Sequence, residues 1–273
     1  MNKDERVIKE FGEEWLKYNY NKVNRDKLFK NFVQYFEIFP WNIINNKSEG
    51  FDMGCGSGRW AQFVAPKVGL LNCVEPSEAI NVARKNLSSL NNINYLKETT
   101  ENCSIKNDSQ DFGYCLGVLH HIPDTEKAIG DCSKLLKKGA PFLIYVYYNF
   151  ENKPLWFKSI WKISDLVRKV ISILPQNLKK IICELIAFFI YYPLSKLALL
   201  FEKIGLNSSN VPLSDYKNKP YYHLRNDALD RFGTRLEQRF SKREIEMMLV
   251  KNGFEKIIFS DSTPYWCCLA YKS

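Results

Sequence analysis

Histidine is scarce. The 273 residues hold three, and only His120 and His121 are neighbours. The third, His223, brings no ligand spacing with it, so a zinc site has little to be built from. The eight cysteines do not supply one either. Cys55, Cys73, Cys103, Cys115, Cys132, Cys183, Cys267 and Cys268 are scattered, with no CxxC pair, and several sit in apolar stretches as inert core thiols do. No metal is expected. Long runs of one charge are also missing. Lys and Arg exceed Asp and Glu by 39 to 30, a formal charge of +9, yet the longest pure basic runs are pairs such as Lys137-Lys138 and Lys179-Lys180. A basic balance can favour nucleic acid, anionic lipid or an acidic small substrate. Without an arginine-rich tail or a nucleic-acid motif, nucleic acid is not an expected partner. The opening Met-Asn-Lys-Asp-Glu-Arg contains no apolar signal-peptide region, and a reducing cytoplasm is the expected location.

An unbroken membrane span is the third absence. Ile181–Phe201 approaches the needed length, but Glu184, Pro193 and Lys196 interrupt it, and the charge-free core Leu185–Ser195 is too short to cross a bilayer. A buried or cavity-lining lid is the first reading. The second is a peripheral membrane contact, with Lys158, Lys162, Arg168, Lys169, Lys179 and Lys180 near lipid head groups. That reading would suit a lipid or lipid-linked glycan acceptor.

What is present is ordinary in bulk and specific in pattern. Hydrophobic residues at 45% and charged residues at 25% describe a soluble globular protein with a sizeable core. Residues 1–46 read as an amphipathic helical cap, with Phe29, Phe32, Val33, Phe36 and Phe39 on one face and Pro40 as the stop. Residues 47–148 alternate short apolar strands with helices, the signature of a parallel sheet. Strands are expected at Gly50–Met53, Leu70–Glu75, Ile93–Lys97, Asp111–Leu116 and Phe142–Tyr148. Helices are expected from about Trp60, over Glu78–Leu87 with Ser77 as cap, and over Thr125–Leu136. Residues 149–240 form a helical insertion punctuated by Pro154, Pro175, Pro193, Pro212 and Pro220, with a polar loop around Asn207–Asn210. In it Arg231 and Arg235 could bind an anion or tie the insertion together through Asp227 and Asp230. Residues 241–273 resume the α/β rhythm. Ser241 and Glu244 form a capping box, and Glu255–Ser260 with Tyr265–Tyr271 read as a hairpin.

The sharpest local signal is Asp52-Met53-Gly54-Cys55-Gly56-Ser57-Gly58, where a strand runs into alternate glycines and then a helix. Glycines there let a ligand approach the backbone, and Glu75 at the end of the next strand can accept ribose hydroxyls. A dinucleotide loop reads G-x-G-x-x-G, whereas this one reads G-x-G-x-G, with Arg59 where the third glycine would stand. Asp52 would repel a pyrophosphate and attract an amino group or sulfonium. The electrostatics favour S-adenosylmethionine (SAM) as cofactor.

With these motifs in place, the chain resembles a class I SAM-dependent methyltransferase related to ubiquinone and small-molecule methylating enzymes. Val74-Glu75-Pro76-Ser77, Asp111–Asp124 and Leu135-Leu136-Lys137-Lys138-Gly139-Ala140 resemble successive family segments, in the family's order. The resemblance implies an α/β, Rossmann-like, seven-stranded and mostly parallel sheet with a C-terminal antiparallel hairpin, N-terminal helices and a helical insertion after strand five. It implies that Asp52, Gly54, Cys55, Gly56, Gly58, Glu75 and Pro76 hold the cofactor, that Thr99, Thr100 and Glu101 border its adenine, and that Gly117 lies beside its sulfur. His120 and His121 would lie at the acceptor.

Because the methyl group of SAM is already activated, such an enzyme mainly aligns acceptor, methyl and sulfur. A base helps if the acceptor carries a proton. His121 is the first candidate and His120 the second, while Tyr147 shares one strand face with Tyr145 as an aromatic wall and Tyr148 takes the other face. The expected acceptor is a small molecule or a lipid or glycan, methylated on oxygen or nitrogen. A non-catalytic SAM-binding protein and an NAD-linked oxidoreductase remain the competing readings.

Overall fold

The computed structural model describes residues 2–17, 25–151, 153–208, 211–219, 221–262 and 264–273. Two compact units emerge, one comprising residues 1–149 with 238–273, the other residues 150–237.

The first unit is built on a seven-stranded sheet. Its strands are β1 (Glu49–Met53), β2 (Leu70–Val74), β3 (Ile93–Leu96), β4 (Phe112–Leu116), β5 (Pro141–Tyr145), β6 (Phe254–Phe259) and β7 (Cys267–Lys272). They lie in the order β3-β2-β1-β4-β5-β7-β6. Strands β1 to β5 pair in parallel, and β7 runs antiparallel to both β5 and β6. This is the Rossmann-like methyltransferase fold. The chain winds outward from β1 to β3, then returns to place β4 on the other side of β1. That reversal opens a crevice beyond the carboxyl ends of β1 and β4.

Strand alternation explains why the central strands are apolar on both faces. Tyr114 and Leu143 face one core with α2 (Arg25–Tyr35), α3 (Ala61–Val64) and α4 (Ala79–Asn86). Cys115, Phe142 and Ile144 face another with α5 (Thr125–Leu135) and α10 (Lys242–Lys251). Phe51, Phe112 and Phe142 are wholly buried, each worth ~1.5–3 kcal/mol of transfer from water. The helix caps form as expected at α10, where Ser241 and Glu244 bond reciprocally. Asp124 caps α5 through the Lys127 N–H. At α4 no side chain caps Glu78, but the Ser77 hydroxyl accepts the Ala79 N–H at 3.2 Å.

The N-terminal segment differs from its sequence reading. Helix α1 spans Glu5–Lys17, and α2 stops at Tyr35, five residues before Pro40. Phe32, Phe36 and Phe39 are buried, but Phe29 and Val33 are half exposed. The five residues therefore do not share one inward face, because the chain leaves the helix between Phe32 and Phe39.

The second unit is helical: α6 (Leu155–Ile171), α7 (Gln176–Ile186), α8 (Tyr192–Lys203) and α9 (Tyr221–Gly233). Pro193 does not break the chain there. A π-helical turn, Ala187–Tyr191, joins α7 to α8, so Pro193 sits in the first turn of α8 where its missing N–H costs little. The resulting helix runs 28 residues from Gln176 to Lys203, and by length and composition alone it could cross a membrane. Pro220 and residues 209–210 of the expected polar loop lie outside the described residues.

Two buried cations hold this unit together. Arg168 bonds to Asp165 at 2.7 Å and to the carbonyls of Thr234 and Arg235, both at 3.0 Å. Lys179 donates to the Gly233 carbonyl at 3.1 Å. Both charges thus sit at the C-terminal end of α9, where the helix dipole favours them. Arg231 is also engaged internally, donating to the Ser164 hydroxyl at 2.8 Å. Arg235 is exposed.

Candidate functional site

Strand β1 runs directly into the glycine loop. Gly54, Gly56 and Gly58 have φ of +77°, +53° and +82°. A Cβ at Gly54 would stand 2.4 Å from the Val118 side chain, and one at Gly58 would stand 2.6 Å from Leu87. Both space and backbone demand glycine at these two positions. The N–H groups of Gly54 and Cys55 donate to the Val74 carbonyl at 2.8 and 3.0 Å, tying the loop to the end of β2. The helix expected from about Trp60 is only the single turn α3, followed by a 3₁₀ turn over Ala65–Lys67. Pro66 ends it early, so helix N–H groups contribute little and the side chains set the polarity.

Those side chains are acidic. Asp52 is 1% exposed, and its Oδ2 accepts the Tyr114 hydroxyl at 3.0 Å. Burial pushes its pKa up to about 8, the Tyr114 bond opposes this, and the Glu75 charge adds to it. Glu75 is also buried. One oxygen accepts the Gly56 N–H at 3.1 Å, and the other accepts the Ser77 N–H at 3.0 Å and hydroxyl at 2.6 Å. Burial raises its pKa against the bonds from Ser77 and Gly56. Among the described residues neither carboxylate belongs to an ion pair. A dry edge with two such groups disfavours a diphosphate and is eased by a cation. The Cys55 thiol between them is pushed well up by burial, foremost, and stays protonated.

Pro76, expected at the cofactor, and Thr99, expected near its adenine, are half-buried. Thr100 is buried and its hydroxyl finds no hydrogen-bond partner. Glu101 is already engaged, bonding to Lys127 and accepting the Asn2 N–H at 2.7 Å. Lys127, then Asn2, hold its carboxyl below the usual range.

The loop after β4 forms the other wall. Gly117 has φ +83° and donates to the Tyr145 carbonyl at 3.0 Å. A 3₁₀ turn over Leu119–His121 follows. His120 is fully buried, stacks on Tyr147 at 3.8 Å, and neither ring nitrogen has a hydrogen-bond partner. Burial, then the charges of His121 and Arg239, hold its pKa well below the usual histidine value, so it is neutral. His121 lies 4.2 Å from His120 and 5.8 Å from Tyr147, ring to ring. Strand β5 ends at Tyr145 and not at Tyr148, because the chain beyond it pairs with residues 238–240. The Phe240 N–H donates to the Tyr147 carbonyl at 2.9 Å, and Asn149 N–H to the Phe240 carbonyl at 3.0 Å. Tyr145 and Tyr147 still lie together at 6.1 Å, while Tyr148 packs with Tyr265 and Trp266.

Residues 51–144 match the family model described as "Methyltransferase domain". Over 145 residues the chain is 28% identical to the ubiquinone biosynthesis O-methyltransferase of Vibrio atlanticus, covering 50% of this chain and 59% of that protein. The enzyme of that name from Saccharophagus degradans is 33% identical over 91 residues, 32% of this chain and 39% of that one. The chain thus spans about half the length of these relatives. A solved Thermotoga maritima structure, described as a SAM-dependent methyltransferase and possible histamine N-methyltransferase, shares the fold. Its TM-score is 0.52 at 16% identity, over 98% of this chain and 99% of that one. Over residues 51–144 the chain is thus similar to the methyltransferase-domain family, and its fold is that of a solved SAM-dependent methyltransferase.

Around this methyltransferase domain the chain brings residues that sequence reading missed. Helix α1 contributes Phe11, whose ring lies 4.8 Å from His121. It also contributes Gly12, where a Cβ would stand 3.0 Å from Ser77, and Trp15, which lies 3.3 Å from a Cβ built on Gly56. The Asn2 side chain clasps the Asp124 backbone at 2.7 and 2.8 Å. From the far end of the sequence, the Gln238 N–H donates to the His120 carbonyl at 3.0 Å, and the Arg239 guanidinium lies 5.0 Å over Tyr147. The one local hint was Gly12, since glycine inside a helix costs ~1 kcal/mol relative to alanine and so signals a close approach. Among the described residues no group of three or more His, Cys, Asp or Glu is placed to hold a metal.

Proposed function

We propose that this chain is an enzyme that transfers a methyl group from SAM to a hydroxyl oxygen of a small-molecule acceptor. The observation that carries the reading is the pair of buried carboxyl groups, Asp52 and Glu75, without an ion-pair partner among the described residues, beside a loop of three left-handed glycines. SAM, when bound, supplies an electrophilic methyl group on a cationic sulfur, and an ammonium group that matches Asp52. Gly54, Gly56 and Gly58 leave room for its backbone approach, Glu75 accepts ribose hydroxyls, and the Thr100 hydroxyl stands ready at the adenine side. Gly117 lets the β4 loop come close beside the sulfur.

Methyl transfer breaks the carbon–sulfur bond, with the electron pair left on sulfur, and forms a carbon–oxygen bond to the acceptor. The acceptor's proton must leave. Neutral His120 donates its ring N–H to the hydroxyl oxygen and orients it, and His121, slightly exposed, takes the hydroxyl proton and passes it to solvent. Tyr147, stacked on His120, fixes the imidazole plane. The names of the curated relatives favour oxygen over nitrogen as the methylated atom. Two raised carboxylates at the glycine bend count against a nicotinamide dinucleotide.

Calorimetry with SAM, its demethylated product and NAD tests the cofactor. Isotopically labelled SAM incubated with a metabolite extract, followed by mass spectrometry, tests for transfer and identifies the acceptor. NAD binding in the absence of SAM binding overturns the proposal, and SAM binding without transfer to any acceptor reduces it to a binding protein. On the acceptor so found, His121→Ala lowers kcat and leaves SAM affinity unchanged.

A further inference from the structure

The helical unit carries its apolar residues on the outside. On α6, Trp156, Ile160, Ile163, Val167 and Val170 follow the spacing i, i+4, i+7, i+11, i+14, which aligns them on one helix face. All five are exposed. Leu166 and Ile173 widen that face and are 63% and 71% exposed. The 28-residue helix Gln176–Lys203 repeats the arrangement. Lys179, Cys183, Ala187, Tyr191, Ser195 and Ala198 are buried along one side. Ile181, Leu185, Phe188, Phe189, Tyr192 and Leu200 are exposed. Of the segment 181–201, expected as a buried or cavity-lining lid, the outer side is thus exposed. Its inner stripe is too narrow to bury the outer one.

Charge says what covers this face. Residues 155–203 contain eight Lys and Arg against three Asp and Glu, five of the nine net positive charges of the chain. On α6, Lys158, Lys162 and Lys169 succeed one another at spacings of four and seven, so they run along a single edge of the apolar stripe. A second copy would bring a face of the same sign, and the rest of the chain is net positive too. Neither is complementary. Exposed aromatics, aliphatics and flanking lysines match the boundary between acyl chains and anionic head groups. The packed inner side of the long helix keeps it from being surrounded by lipid, so a parallel seat at the interface fits better than a crossing.

We infer that the helical unit docks on the surface of an anionic lipid bilayer through the outer faces of α6 and the Gln176–Lys203 helix. The inference stands independently of methyl transfer. Co-sedimentation of the full chain with vesicles of phosphatidylglycerol and phosphatidylcholine, against pure phosphatidylcholine, is the test, performed without SAM. Partition is expected to the anionic vesicles, and to fall as salt is raised. Lys158→Glu with Lys162→Glu lowers it about ten-fold or more, and Val167→Glu with Val170→Glu does the same. Circular dichroism and SAM calorimetry on both variants should match the parent, since Lys162, Val167 and Val170 are exposed, Lys158 is only half-buried, and all four lie outside the cofactor loop. Absence of partition, equal partition to neutral vesicles, or a lipid-free dimer that both variants dissolve overturns the inference.

Discussion

The two units bury charge in opposite ways. In the sheet unit, the carboxyl groups of Asp52 and Glu75 are buried with hydrogen bonds but, among the described residues, no ion-pair partner. In the helical unit, Arg168 and Lys179 are buried cations whose bonds end on helix carbonyls and a carboxylate. The buried cations of the helical unit are satisfied within it, while much of its apolar exterior is exposed. The two buried carboxyl groups of the sheet unit have no such partner among the described residues. Unfinished electrostatics point to a ligand, and unfinished apolar burial points to a surface.

The largest test of this contrast is Arg168→Met. Removing a buried cation leaves two carbonyls without their donor and Asp165 with Lys169 alone, at a cost of ~3–5 kcal/mol. Chemical denaturation should show the helical unit losing stability while calorimetry shows unchanged SAM affinity. If SAM affinity falls equally, the division between structural and ligand-seeking charges is wrong. Next come Asp52→Ala and Glu75→Ala, each expected to weaken SAM binding by about ten-fold or more, as loss of a charged hydrogen bond implies. Unchanged affinity in both folded variants would sink the proposed site.

A smaller effect is set by pH. The Asp52 pKa of about 8 lies above its unfolded value, so the folded, unliganded protein holds an extra proton between about pH 4 and pH 8. Its stability therefore falls as pH rises through that window. A cationic ligand prefers the ionised form, so SAM affinity should rise over pH 6 to 8 while unliganded Tm declines. Asp52→Asn should flatten both trends and raise Tm at pH 8. The smallest expected change is Val167→Glu, within ~0.5 kcal/mol by denaturation, because that side chain packs against nothing the fold needs.

Much of the fold was legible because its signals are local. Short apolar runs marked the strands, Ser241 and Glu244 marked a helix start, and the three glycines after Asp52 marked a loop whose φ values only glycine adopts readily. The pairing of Asp52 with Glu75 was legible too, since both sit at the ends of adjacent strands. Trp15 at Gly56, Phe11 at His121 and Arg239 over Tyr147 were not. They join residues distant in the chain, and no periodicity within a window reports such a meeting.

Amino-acid order alone determined the strand positions, the glycine turns and the acidic residues at the cofactor edge, because each depends on neighbours within a few residues. Only the tertiary arrangement decided that Asp52 would be desolvated, that His120 would be neutral, and that the apolar residues of 155–203 would face outward. Those outcomes depend on which surfaces exclude water, and exclusion of water is a property of packing between distant segments.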